Sequence, residues 1–280
     1  MRVRRPDFSR GMQSGRPALR PAFACVLAGL AAGALLAGPG SGDSPGDEEA
    51  FARARAAMVE TQVAARGVRD AAVLEALRAV PRHLFVPPAF RDEAYEDHPL
   101  PIGEGQTISQ PFIVGLMTWS LGLRKGDRVL EVGTGSGYQA AVLSLLAGEV
   151  FSIEINESLA RRAADTLKSL GYGNVRVRCG DGFFGWKEAA PFDAVIVTCA
   201  AERIPPPLLD QLREGGRLVI PLGDPGASQT LTLIRKQGGR AVVRRILDVR
   251  FVPMTGEAVK KEGQSASGGT APLDIAPGLW

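Results

Sequence analysis

The run VLEVGTGSGYQ at 129–139 ends an apolar strand in an acid and three alternating glycines, Gly133, Gly135 and Gly137, directly before a helical stretch. Glycine lets the backbone take positive φ and approach a ligand closely, and the helix that follows points its free N–H groups into the same crevice. The run therefore commits the chain to a strand, a ligand turn and a helix, and the expected guest is a nucleoside. The dinucleotide fingerprint has its third glycine one position later, where this chain has Tyr138. Glu131 would stand near the two negative charges of a pyrophosphate, whereas a carboxylate attracts a sulfonium. S-adenosylmethionine fits that pattern better. FSIEI at 151–155 reads as the next strand, and Glu154 lies at the right distance to accept hydrogen bonds from both ribose hydroxyls. Two simpler readings stay open: a glycine-rich turn beside a surface acid, and a Glu131 that only accepts from the turn's own N–H groups.

From 126 onward strand and helix alternate strictly. RVLEV, a helix at 138–147, VFSIEI, a helix capped by Asn156, NVRVRC, the loop GDGFFGW, FDAVIVT, the helix PPLLDQL and GRLVIPLG follow one another. Such alternation implies a Rossmann-like, doubly wound, mostly parallel α/β sheet with its ligand at the carboxyl ends of the strands. Residues 230–254 read as antiparallel strands completing a C-terminal edge. Before the core, residues 48–67 and 70–86 read as helices, the first stopped by Gly67 and the second broken by Pro81. They form an N-terminal helical cap over 48–125, together with a loop at 100–111 that feeds a helix ending near Gly122. The core is expected over 126–258 and a disordered tail of linker composition over 259–280.

Residues 1–47 are of another material. Arg2, Arg4, Arg5, Arg16 and Arg20 precede the uncharged run AFACVLAGLAAGALLAG at 22–38, and a polar, turn-rich junction follows. This resembles a secretory signal, so a periplasmic or exported bacterial protein is expected. Alternatives remain open: an uncleaved anchor, since Leu35 before Ala37 makes a poor cleavage site; a twin-arginine signal at Arg4-Arg5; or a true start at Met58 with a cytoplasmic product. The net charge is only +3, with Lys and Arg scattered, so the footprint of a nucleic-acid binder is missing. A membrane is expected as a partner only through the leader, and the chain is expected to act as a monomer.

The resemblance to a known family rests on AVPRHLFVP, LPIGEGQTISQP, VLEVGTGSGYQ, GDG, APFDAVIVT, LREGGRLVIPLG and RFVPMT, in that order between about 48 and 255. In these motifs the chain resembles the protein-L-isoaspartate O-methyltransferases. The resemblance implies a class I methyltransferase fold and methyl transfer from S-adenosylmethionine to the free α-carboxylate of L-isoaspartyl residues in damaged proteins. It places Ser109 at the substrate carboxylate, as the one catalytic position, and Thr107 toward the cofactor. It makes Glu131, Gly133, Thr134, Gly135, Gly137, Glu154, Gly180, Asp181 and Thr255 cofactor contacts, with Asp181 accepting from the adenine amine. Ser109 also reads as a helix N-cap ahead of Pro111, and Asp181 as an ordinary turn acid. The leader and the tail depart from the family, most members of which are cytosolic.

The residue inventory agrees with that chemistry. A carboxylate with a pKa near 4 is ionised at neutral pH and attacks a methyl sulfonium without a general base, so His83 and His98 are expected to be structural. Positioning and removal of water are what such an enzyme must supply. Cys179 and Cys199 end the third and fourth core strands, and two intervening strands put them ~14 Å apart, too far for a disulfide. No Cys or His cluster suggests a metal. A nucleobase amino-methyltransferase would carry a polar-Pro-Pro-aromatic motif where this chain has Thr198-Cys-Ala-Ala. A non-catalytic binding module would not need the intact glycine turn together with Thr107-Ile-Ser109.

Overall fold

Strand β3 (Arg128–Val132) is buried along all but its first residue, as expected of an apolar run at the centre of a parallel sheet. The computed structural model describes residues 45–262; the expected leader up to residue 44, with Cys25, and the tail from 263 lie outside them. Strand β3 pairs with β4 (Glu149–Glu154) on one side and β6 (Phe192–Val197) on the other, both parallel. Strand β5 (Val175–Cys179) extends the first side, and β7 (Leu212–Leu222) the second, again in parallel. Then β8 (Gln229–Gln237) and β9 (Arg240–Val249) close the sheet as antiparallel neighbours, giving the order β5-β4-β3-β6-β7-β8-β9. The doubly wound sheet and its antiparallel edge are thus present, and the chain reverses direction across the sheet at β3. Two strands separate β5 from β6, as the cysteine argument required, and Cys179 and Cys199 are both free.

The period-two alternation of the strands sorts the core into two layers. Val129, Val150, Ala194 and Ile196 face a cluster built from the N-terminal helices. Leu130, Val132, Phe151, Val195 and Val197 face a second, thinner cluster. The first layer holds α1 (Pro45–Met58), α2 (Ala71–Ala79), α3 (Pro111–Leu121), α4 (Tyr138–Ser144) and α5 (Glu157–Ser169). The second holds Leu208 of α6 (Pro206–Gln211) and Ala258 of α7 (Glu257–Glu262).

Local chemistry explains the helix limits. Asp70 accepts from the N–H groups of Ala72 and Val73 at 2.9 and 3.2 Å and so starts α2. Asn156 accepts from Leu159 N at 3.0 Å and starts α5. Gly122, at φ 52°, stops α3.

Four expectations need correction. Helix α1 begins at Pro45 rather than 48, and passes through a π turn (Val59–Val63) and a 3₁₀ turn before Gly67 at φ 99°. The helix expected to reach 147 ends at Ser144. The stretch at 100–111 is a hairpin, not a loop: β1 (Leu100–Gly103) and β2 (Gln106–Ile108) pair antiparallel, Leu100 opposite Ile108. Its turn residues Glu104 and Gly105 both have positive φ, 56° and 68°, as a tight hairpin turn requires, while Leu100, Ile102 and Ile108 turn inward to the core. Residue 259, where the tail is expected to open, lies within α7, whose Ala258 packs into the second core layer.

Candidate functional site

At the carboxyl ends of β3, β4 and β6 the structure leaves a cavity of about 300 Å³. Its floor is the glycine turn. Gly133 and Thr134 donate to Ile153 O at 2.8 and 3.2 Å, which bends the chain across the end of β4. Gly133 takes φ 96°, and a Cβ there would run into the Thr198 hydroxyl, which itself donates to Gly133 O at 2.6 Å. Gly135 takes φ 55°, and its N–H donates to Glu154 Oε2 at 2.9 Å. Glu154 Oε1 accepts from Asn156 N at 3.0 Å, so this carboxylate pins both the turn and the start of α5 while it lines the cavity. Beside it Ile155, 44% exposed, offers an apolar surface on the same wall.

The roof comes from two segments distant in sequence, the β2 hairpin strand with Gln106, Thr107 and Ile108 and the following Ser109, and the chain after β9 with Val252 to Thr255. The residue at the N-cap of α3 is Gln110, which makes no side-chain cap, so Ser109 is not the cap; Pro111 fills the first turn. Ser109 Oγ makes no hydrogen bond within the described residues and stays available to a guest. A second cavity, of about 540 Å³, adjoins the first; Thr107, Ser109, Thr198 and Val252 belong to both walls.

The structure therefore brings together Thr107, Ser109, Gly133, Thr134, Gly135, Glu154 and Thr255. Four expected contacts stand back from the cavity. Glu131 is fully buried, on the same sheet face as Val129, where it sits opposite Ser152 of β4 and accepts from the Ser152 hydroxyl. Ser152 Oγ in turn lies within hydrogen-bond reach of Thr134 Oγ1. Burial pushes the Glu131 carboxyl up to about 8, with Glu154 adding to the rise and the Ser152 hydroxyl opposing it. The acid expected to attract a sulfonium by charge is thus largely neutral at pH 7 and braces the turn from below. The reason is register, since Glu131 is one residue short of the strand end.

Gly137, at φ 88°, is the N-cap of α4 and packs against Leu167. Gly180 donates to Glu154 O at 2.9 Å. Asp181 caps the turn at Gly182–Phe184 through Phe183 N at 2.9 Å, and its other oxygen accepts from Glu257 N at 2.7 Å, at the start of α7. The turn-acid reading describes it in this structure, with its neighbour Gly182 in the cavity wall.

Sequence reasoning missed Ser136, Gln139, Ile155, Thr198 and Met254, all in the wall. Ile155 was the one with a signal, as an apolar residue directly after an acid at a strand end; the others are gathered only by the fold. His83 is buried in the cap, 2.7 Å from the Tyr95 hydroxyl and stacked on Phe51 at 4.1 Å between centroids, in keeping with a structural role. His98 gathers with Glu93 and Glu96 at the surface, a group that linear spacing did not suggest as a cluster. Burial raises the Cys199 thiol to about 12, which makes this cavity-wall residue a poor nucleophile.

The cavity suits S-adenosylmethionine by its donor set: a strand-end carboxylate for a ribose, an exposed apolar side chain beside it for a purine, and backbone close enough to the guest that glycine is needed. Comparison with known proteins agrees. Residues 53–259 match the family model "Protein-L-isoaspartate(D-aspartate) O-methyltransferase". Protein-L-isoaspartate O-methyltransferase 2 of Shewanella sediminis is 57% identical over 219 residues, covering 78% of this chain and 90% of that one. The Opitutus terrae protein-L-isoaspartate O-methyltransferase is 56% identical over 210 residues, covering 75% and 90%. A solved protein-L-isoaspartate O-methyltransferase superposes with TM-score 0.68 at 30% identity, over 76% of this chain and 69% of the other. A Plasmodium falciparum structure assigned to the same enzyme class, in complex with S-adenosyl-L-homocysteine, gives 0.62 at 26% identity, over 72% and 98%.

Proposed function

The chain belongs to the protein-L-isoaspartate(D-aspartate) O-methyltransferase family, and from that premise we infer that it methylates the α-carboxylate of L-isoaspartyl residues in damaged proteins, with Ser109 orienting the carboxylate. One observation carries the assignment of Ser109. Its hydroxyl has no hydrogen-bond partner among the described residues and stands in the wall common to the cofactor cavity and the adjoining cleft, where a substrate carboxylate can meet the cofactor.

S-adenosylmethionine supplies a methyl group on a sulfonium, an electrophile that an ionised carboxylate attacks without proton transfer. The protein's residues supply geometry. Glu154 would accept from the ribose hydroxyls, the glycine turn would let the cofactor lie close to the backbone, and Thr107 and Thr255 would hold it from the opposite wall. Ser109 donates one neutral hydrogen bond to the carboxylate, which orients it without the tight ion pair that an arginine would impose. The buried walls, with Ile108, Val132 and Met254, exclude water from the reacting atoms. Placing two reactants in line in this manner is worth on the order of 7 to 11 kcal/mol.

Selectivity for isoaspartate follows from shape, since its α-carboxylate is a side branch while the chain runs on through the side-chain carbonyl. Purified protein incubated with labelled cofactor and paired isoaspartyl and aspartyl peptides tests the reading. A base-labile methyl ester on the isoaspartyl peptide alone is expected, and equal labelling of both would overturn it.

The finer setting is part of the same proposal. The basic leader and uncharged run support an exported enzyme that acts on aged envelope proteins. The low net charge of +3 supports protein rather than nucleic-acid substrates.

A further inference from the structure

We propose that the cleft beyond Ser109 selects isoaspartyl sites flanked by acidic residues, with Arg250 and Arg66 as the specificity-determining cations; this rests on the methyltransferase reading above. Both arginines line the 540 Å³ cavity that shares Ser109 and Thr107 with the cofactor site. Arg66 is held in place on two sides. Its Nη1 donates to Asp97 Oδ2 at 2.7 Å, and its guanidinium lies 3.5 Å from the centroid of the Phe112 ring. Its side chain is nevertheless 46% exposed, so a pre-ordered face remains open to the cleft.

Arg250 is tethered differently. Val249 before it is buried, Phe251 N after it donates to Gln229 Oε1 at 2.9 Å, and Val252 O accepts from Ala200 N at 2.8 Å. The backbone is thus fixed on both sides of an exposed arginine at the cleft wall. Another arginine of the same edge has a partner: Arg245 donates to Thr230 Oγ1 at 2.8 Å. Arg250 makes no ion pair within the described residues. Asp248 is the one acid in the wall, and its Oδ1 already accepts from the Thr230 hydroxyl at 3.2 Å.

The cleft thus offers cationic groups beside a reaction whose nucleophile is itself an anion. An arginine paired with that nucleophile would quench it, so the useful partner is a second carboxylate on the same peptide. A flanking Glu or Asp held at Arg250 and Arg66 leaves the isoaspartyl α-carboxylate to the neutral hydroxyl of Ser109. Exposed ion pairs of this kind are weak, which sets the expected preference at about two- to fivefold.

The test is a set of isoaspartyl peptides carrying Glu, Gln or Lys at each of three positions on either side of the isoaspartate. kcat/KM is measured at low and high salt with the wild-type protein, Arg250→Glu and Arg66→Gln, each checked for folding by its thermal midpoint. The proposal expects the Glu peptide to exceed its Gln counterpart by about two- to fivefold at one or more positions, the advantage to shrink with salt, and Arg250→Glu to shift the preference toward Lys. A lost advantage in a well-folded Arg66→Gln would assign that residue a share. Equal rates for Glu, Gln and Lys peptides, or a preference untouched by Arg250→Glu, would overturn it while the methyltransferase reading stands. If no isoaspartyl peptide is methylated, both fall.

Discussion

Three side chains of the site differ in what they can be asked to do. Ser109 makes no hydrogen bond among the described residues and is not the α3 cap, so Ser109→Ala should leave the thermal midpoint unchanged. Turnover should fall about 10-fold, equivalent to ~1.4 kcal/mol, with cofactor affinity held. Unchanged turnover would remove Ser109 from the reaction. Glu154 is more entangled, since its two oxygens already accept from Gly135 N and Asn156 N. An amide can serve only one of those donors, so Glu154→Gln should cost ~1.5 to 3 kcal/mol of cofactor binding and also lower the midpoint. Binding within twofold of the parent by calorimetry would refute the ribose role. Glu131 behaves as a neutral acid. Its folded pKa is raised, to about 8, so the proton binds the native state more tightly than the unfolded one. The stability it contributes is therefore fully present below the unfolded value near 4.5 and is lost as pH rises toward 8. Relative to Glu131→Gln, which keeps the neutral shape, the wild-type protein should lose stability across that window. Denaturant titrations at pH 5 and 8 that show parallel changes in the two proteins would contradict it.

At the scale of elements, the glycine turn and the β1–β2 hairpin make the cavity. Gly133 sits at φ 96°, outside the range open to L side chains, and a Cβ would collide with Thr198. Gly126 has open space around it. Gly133→Ala should therefore cost on the order of 1–3 kcal/mol, a fall of several degrees in midpoint, and weaken cofactor binding, whereas Gly126→Ala should change neither. Equal effects of the two would show that the turn's geometry is not what holds the site. The hairpin was hidden from sequence reasoning because Pro101, Gly103 and Gly105 read as loop. Its strands are only four and three residues long and are made by pairing with each other and by burying Leu100, Ile102 and Ile108. The guanidinium of Arg162 in α5 adds a bond to Ile102 O at 2.9 Å, a contact across sixty residues of chain.

For the whole molecule, the family, the sheet and the cofactor site say nothing about compartment, and the leader carries that proposal alone. A reporter that is active only after export, fused behind residue 50, should be active in a bacterial host. Full-length product confined to the cytosol with a silent reporter would show that the basic and apolar stretch does not direct export. Among the described residues no helix is long and apolar enough to cross a membrane. Fractionation of the same fusion into membrane and soluble pools would reveal whether the leader stays in place as an anchor.

Local pattern determined what is periodic or punctuated: strand–helix alternation, the cap at Asn156, the stops at Gly67 and Gly122, and a turn whose alternating glycines announce close backbone approach. These signals lie within a few residues of each other, so a linear reading recovers them. Glu154 was legible for the same reason, as an acid at the end of a strand. Tertiary structure decided the rest. It turned Glu131 into the buried face because one step of strand register separates the crevice from the core, and it gave Asp181 to Glu257, 76 residues away. It also set Ser109 and Thr107 beside Thr198 and Val252, in a wall assembled from a hairpin, a strand end and the chain leaving the sheet edge. Such neighbours are chosen by which faces must be buried together, and that choice is made by the packed sheet and helices as a whole.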